Sequence, residues 1–166
     1  MLVGIMSDSH GRHLMARRAV ELFSRLDVEH VIHCGDVGDA DVFDELLGLP
    51  LTFVWGNTDE PHAVLLAHLK ATGIQPPDGV PRRVTLGGKR FAVYHGHERG
   101  FGRAVEAPDV DYILHGHTHC RCDDRRGAAR IINPGALHRA ATLTVATLDT
   151  AGDELTFHKV LSDVRA

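Results

Sequence analysis

What most limits how this chain can fold is an alternation in its first half: the short, β-branched-rich apolar runs LVGIM, HVIHC and LTFVW are each followed by a stretch with helical spacing. Parallel strands need a crossover to bring the chain back to the same end, so the alternation predicts βαβ units and a largely parallel sheet. A first helix is expected from about Arg12 to Leu26, where Met15, Ala19, Leu22, Phe23 and Leu26 recur at spacings of three and four and form one apolar stripe. Asp39 to Leu47 repeats the pattern with Val42, Phe43, Leu46 and Leu47, and Pro61 is expected in the first turn of a third helix that ends before Gly73.

After IQPPDGVP, which reads as a loop, the grammar changes. RRVTL and KRFAVYH flank Gly87 and Gly88, a two-residue hairpin signal. Further strands are expected at Tyr112 to His115, Ala129 to Asn133, Ala141 to Asp149 and Glu154 to Leu161, punctuated by Gly127, Pro134 with Gly135, and Gly152. Gly73 to Pro81 and Gly100 to Pro108 read as loops. The sum is a mixed α/β sandwich. With no repeat, low-complexity tract or linker, residues 1–166 are expected to form one domain, which at this size buries roughly 70% of the surface its unfolded chain exposes.

Several function classes drop out on composition. No run approaches the ~18 consecutive apolar residues of a membrane span, and MLVGIMSDSHG lacks a basic leading segment, so it reads as a first strand rather than a secretory signal. Three cysteines, Cys34, Cys120 and Cys122, cannot all pair internally, which points to a reducing compartment and hence the cytoplasm. Acidic residues outnumber basic ones by 22 to 18, the wrong sign for a strong nucleic-acid footprint, so any anionic substrate must be attracted locally. No long apolar surface stripe forces an oligomer.

The 13 histidines are the compositional outlier. His13, His30, His62, His68, His138 and His158 are set aside as surface imidazoles, and His33 and His115 as hydrogen-bonded strand residues. The others behave differently. Asp8 follows LVGIM, Asp36 follows HVIHC, Asn57 follows LTFVW, His95 follows RFAVY and His117 follows DYIL. Ligand-type residues thus gather at strand carboxyl ends, where open α/β sheets bind ligands. Asp8 and His10, like His117 and His119, are two apart, so in extended backbone each pair shares a face and can reach one ion. Mixed oxygen and nitrogen donors suit a borderline first-row ion, manganese above all, with nickel, iron, cobalt or zinc as alternatives, better than calcium or magnesium.

In that order, SDSHG, GD, GN, an isolated His after a strand and GHTH resemble the calcineurin-like metallophosphoesterases, and in particular their small bacterial and archaeal phosphodiesterases. The likeness spans Asp8 to His119, and the INPG segment Ile132 to Gly135 extends it. It implies a layered α/β sandwich of two mixed β-sheets flanked by helices. It also implies two divalent metal ions: one held by Asp8, His10, Asp36 and His119, the other by Asp36, Asn57, His95 and His117, with Asp36 bridging them. Arg12, Arg121 and Ala136 depart from the family's usual residues but touch no proposed ligand; the two arginines either add positive charge to the pocket or are solvated surface.

Two divalent ions against two carboxylates leave such a site positive, so it can draw in a small phosphate-ester or nucleotide-like substrate although the chain is acidic. The expected activity is hydrolysis of phosphodiesters by a metal-bridging hydroxide, with no covalent intermediate. Asp59, two residues after Asn57, and His97, two after His95, are the catalytic candidates for orienting ligands or water or protonating the leaving group, Asp59 being the better partner for a ligating imidazole. The alternatives are a phosphomonoesterase, or a non-catalytic scaffold like the retromer subunit of this fold, which has lost part of the ligand set. A sensor built on Cys120 and Cys122 is disfavoured because C-x-C lacks a second cysteine pair.

Overall fold

The computed structural model describes residues 1–161; residues 162–166, the end of the expected 1–166 unit, lie outside the described residues. The first half runs β1 (Leu2–Met6), α1 (His13–Arg25), β2 (His30–His33), α2 (Ala40–Glu45), β3 (Leu51–Phe53) and α3 (Ala63–Thr72). β1 pairs with β2 and β2 with β3, both in parallel, as the alternation of elements requires. α3 begins two residues beyond Pro61 rather than on it. His62 takes the N-cap in extended backbone and accepts the Leu65 N–H at 3.3 Å, and the helix stops at Gly73, whose φ of 79° suits glycine.

In the second half β4 (Arg82–Leu86) and β5 (Lys89–Val93) form the expected hairpin, with Gly87 and Gly88 both at positive φ in the turn. They are followed by α4 (Phe101–Glu106), β6 (Tyr112–Leu114), β7 (Cys122–Arg126), β8 (Ala129–Asn133), β9 (Thr144–Asp149) and β10 (Glu154–Lys159). The second sheet has the order β4-β5-β6-β8-β7, with β5, β6 and β8 parallel. β9 and β10 leave it and join the first sheet antiparallel to β1, giving β10-β9-β1-β2-β3. Both sheets are therefore mixed.

Two elements differ from the sequence-based expectation. α4 lies where a loop is expected, because its six residues include Gly102 and show no helical stripe of useful length; packing of Phe101, Ala104 and Val105 on the second sheet holds it. β7, CDDRR, has no apolar alternation at all. It is an edge strand held by its ladder to β8 and by ion pairs from Arg126 to Asp124 and from Arg130 to Asp123.

Strand alternation sorts the core into layers. Val3, Ile5 and Ile32 face Phe91, Val93, Leu114 and Ile132 between the two sheets. On the opposite face of the first sheet Met6, Val31 and Phe53 meet Phe23 of α1, Phe43 of α2 and Leu69 of α3. Each such fully buried side chain contributes about 1.5–3 kcal/mol. The order of layers is helices, sheet, sheet, helix, the two mixed sheets flanked by helices that the resemblance implies. Among the described residues no helix is long and apolar enough to cross a membrane.

Candidate metal centre

The carboxyl ends of β1, β2 and β3 lead into the segments carrying Asp8, His10, Asp36 and Asn57, and those of β5 and β6 into the segments carrying His95, His117 and His119. The two sheets present these ends to one place. Asp8 accepts the His117 N–H across the gap between sheets at 3.1 Å, and its Oδ1 stands 3.2 Å from His119 Nε2. Asp36 Oδ2 lies 3.5 Å from His10 Nε2 and 3.3 Å from His95 Nε2, while Asn57 Oδ1 is 3.0 Å from the same His95 nitrogen. The His117 ring lies 5.1 Å from that of His95. Donor atoms of Asp8, His10 and His119, and again of Asp8, Asp36 and His95, lie within 4.8 Å of one another. All seven residues singled out as metal ligands thus surround one site.

The backbone that achieves this is not extended. Asp8, His10, Asp36, His117 and His119 have φ of 54°, 45°, 52°, 67° and 56°, in the left-handed region. The two-residue spacing therefore works through tight turns, and the shared-face argument from strand geometry does not apply. A left-handed non-glycine residue costs roughly 1–2 kcal/mol, and strain of this kind persists where the surroundings over-determine it. Here the Asp8 N–H donates to Gly35 O at 3.0 Å, the His10 N–H to Asp36 O at 2.9 Å and the Gly116 N–H to His95 O at 2.9 Å. Two glycines let these turns touch. A Cβ on Gly56 would stand 2.1 Å from Asp36 Oδ1, and one on Gly116 1.9 Å from Ser7 Oγ.

A second ring of residues aims the first. His95 donates from Nδ1 to Cys34 O at 2.8 Å, which turns Nε2 towards the site, where a bound cation would take its lone pair in place of a proton. The partner of this imidazole is thus a backbone carbonyl rather than Asp59. Asp59 instead accepts the N–H groups of Val37 at 3.1 Å, Gly38 at 2.8 Å and Gly56 at 2.8 Å, tying together the turns that carry Asp36 and Asn57. Glu98, within the HGHE run, does the same for His95 and Gly96. Asn133, within INPG, donates to Gly116 O at 2.7 Å and Thr118 Oγ1 at 3.1 Å. His33 is wholly interior: it accepts the Gly35 N–H and donates to Ser9 Oγ, and burial pushes its pKa down to about 3. His97 is exposed, its ring 5.4 Å from that of His95 and 6.1 Å from that of His117.

One histidine set aside from sequence belongs here. The His138 ring lies 5.2 Å from that of His10, and its Nδ1 is buried with no hydrogen-bond partner. No local pattern in GALHR marks it; only its place three residues beyond INPG does. His30, His68 and His158 are tied to Thr52, Asp44 and Thr147, and His62 caps α3, so these four serve the scaffold. Cys34 is a buried core residue, Cys120 is exposed, and burial pushes the Cys122 thiol up, away from reactivity.

The electrostatics of the donor set suit a cation. Burial pulls the Asp36 carboxyl upward, but hydrogen bonds from His95 and Thr58 prevail and hold it well below the usual range. Burial raises Asp8 above its ordinary value despite Ser7, His95 and His119, with Asp36 adding to the rise. His95 feels the opposite balance: burial lowers it, yet Asp36 and the Cys34 carbonyl leave it raised. His10 Nε2 is buried and makes no hydrogen bond; leaving such an atom unsatisfied costs about 1–3 kcal/mol. Two neighbouring carboxylates, several imidazole nitrogens and an orphaned buried donor atom fit divalent cations, and these residues could hold them.

The family model of the calcineurin-like phosphoesterase superfamily domain matches residues 1–153. A phosphodiesterase of Methanocaldococcus jannaschii is 31% identical over 159 residues, covering 93% of this chain and 96% of that protein. A solved structure described as a novel archaeal phosphodiesterase superposes with a TM-score of 0.85 at 29% identity, covering 96% of this chain and 99% of that one. A phosphoesterase from E. coli, at 22% identity and a TM-score of 0.71 over 97% of this chain and 100% of its own, shares the fold. The chain belongs to the calcineurin-like phosphoesterase superfamily.

Proposed function

We propose that this protein is a metal-dependent phosphodiesterase in which Asp8, His10, Asp36 and His119 hold one divalent ion and Asp36, Asn57, His95 and His117 a second. The observation that carries this reading is the place of Asp36, one carboxylate oxygen 3.5 Å from His10 and 3.3 Å from His95, between ligand candidates of both groups. The name of the archaeal relative supports a diester substrate. Bound ions would supply Lewis acidity at the phosphoryl oxygens and a water acidic enough to attack at neutral pH. The mixed donor set favours manganese, with nickel, iron, cobalt or zinc as substitutes.

The chain's own residues do the rest. Cys34 O fixes the His95 tautomer, and Asp59, Glu98 and Asn133 hold the turns so that little reorganisation is needed on substrate binding. In this reading His97 donates a proton to the departing oxygen, which its exposure and its nearness to the His95 and His117 rings support. In this reading the protein acts on small phosphate esters in the cytoplasm, where its three free cysteines stay reduced. The test is to strip the protein of metal and assay bis(p-nitrophenyl) phosphate and p-nitrophenyl phosphate with manganese, nickel, zinc or magnesium added back. Metal-dependent turnover, faster on the diester, is expected; no metal-dependent turnover of either would sink the proposal.

A further inference from the structure

Beside the centre, on the His10 side, lies a cleft of about 380 Å³ whose lining includes Arg12, His138, Arg139 and Lys159 and, among the described residues, no carboxylate. The cations come from three separate parts of the fold: Arg12 is the N-cap of α1, Arg139 lies between β8 and β9, and Lys159 ends β10. Among the described residues none of the three makes an ion pair, whereas Arg17, Arg83, Arg90 and Arg130 each engage a carboxylate. Arg139 is also held at a φ of 47°, the left-handed region a non-glycine residue seldom adopts. His138 joins cleft to centre, its ring 5.2 Å from that of His10, which in turn is 5.4 Å from that of His119. Converging cations that no described carboxylate pairs, on a chain of net charge -4, form a local field that suits an anion.

We propose that this cleft binds a second anionic group of the substrate, so that the preferred substrates are phosphodiesters carrying a further phosphate beyond the scissile one. The proposal rests on the phosphodiesterase reading and adds a substrate class to it. Arg12 and Arg139 are positioning residues: planar guanidinium groups can each give a phosphate two parallel hydrogen bonds, and Lys159 adds a point charge. The reacting phosphate remains at the centre described above.

The test compares thymidine 5′-(p-nitrophenyl phosphate) with the same ester carrying a 3′-phosphate, on metal-loaded protein, since both release the same leaving group. The 3′-phosphorylated ester is expected to have a kcat/KM about tenfold higher, with the difference in KM rather than kcat. That ratio should fall towards one in the Arg12→Gln/Arg139→Gln double variant, fall part-way in Lys159→Gln on its separate strand, and persist in Arg126→Gln, an exposed cation paired to Asp124. Equal kcat/KM for the two esters, or a ratio that survives in the double variant, overturns the proposal. Calorimetry with thymidine 3′,5′-bisphosphate against thymidine 5′-phosphate reads the cleft without turnover. Should neither ester be hydrolysed, the phosphodiesterase reading fails by itself, and equal affinity for the two nucleotides separately overturns the cleft.

Discussion

At the residue scale, the centre depends on a few side chains serving more than one neighbour. Asp36 stands against both His10 and His95, so Asp36→Asn is expected to weaken both ions together, whereas His119→Ala, whose ring lies against Asp8 and His10, should first lower occupancy at one. Metal stoichiometry by calorimetry separates the two: loss of a single ion in Asp36→Asn would contradict the shared carboxylate. Asp59 acts through the backbone, and Asp59→Ala is expected to cost about 10–100-fold in metal affinity or activity, the range for residues that orient ligands. Gly56 is demanded by contact, since a Cβ there would stand 2.1 Å from Asp36 Oδ1 and 2.3 Å from Asp36 N. The residues that gather at the centre were legible in the sequence because apolar runs end where they begin. The left-handed turns that present them were not, because strand alternation alone argued for extended backbone.

At the scale of elements, the β4–β5 hairpin shows how local sequence and tertiary packing divide the work. Gly87 and Gly88 both adopt positive φ, a conformation costing a non-glycine residue roughly 1–2 kcal/mol. A Cβ on Gly88 would meet nothing within 4 Å, but one on Gly87 would stand 2.2 Å from Thr150 Oγ1 in the β9–β10 turn. Gly87→Ala is therefore expected to destabilise the protein by more than Gly88→Ala, and urea denaturation measures the difference; equal losses would mean that the turn does not bear on Thr150. β1, β2 and α1 are legible because their periodicity is strong. β7 and α4 are not: a polar edge strand and a six-residue helix with an internal glycine carry no periodic signal, and each exists because a neighbouring sheet supplies its partners.

At the scale of the whole molecule, the two sheets are joined by polar as well as apolar contacts. Arg130 of β8 binds Asp123 of β7 and Asp153 in the β9–β10 turn, and Tyr112 of β6 donates to the same Asp153. Burial alone would raise Asp153, but Arg125, Arg130 and Tyr112 hold it at about 2, and Arg130 lowers Asp123. A depressed carboxyl stabilises the fold fully above its unfolded pKa of about 3.9 and loses that contribution as pH falls through its folded value. Arg130→Met should therefore lower the Tm of metal-free protein clearly at pH 6, and the gap to wild type should close between about pH 4 and pH 2. A gap that does not change with pH would show that packing, not charge, carries the clamp. Metal removal acts on the same scale: an ion at a hundred times its Kd stabilises by about 2.7 kcal/mol, so chelation is expected to lower the Tm measurably.

The sequence by itself determined the βαβ start, the strand-rich second half and the residues that gather at strand ends, because hydrophobic periodicity and ligand chemistry are local properties read one segment at a time. Only the tertiary structure decided that β9 and β10 cross back to the first sheet, that Asp59 holds backbone rather than an imidazole, and that His138 stands beside His10 and not on an idle surface. Each of these is a pairing between segments far apart in the chain. Such pairings are selected by burial and by the satisfaction of backbone groups over the whole fold, and no window of neighbouring residues encodes them.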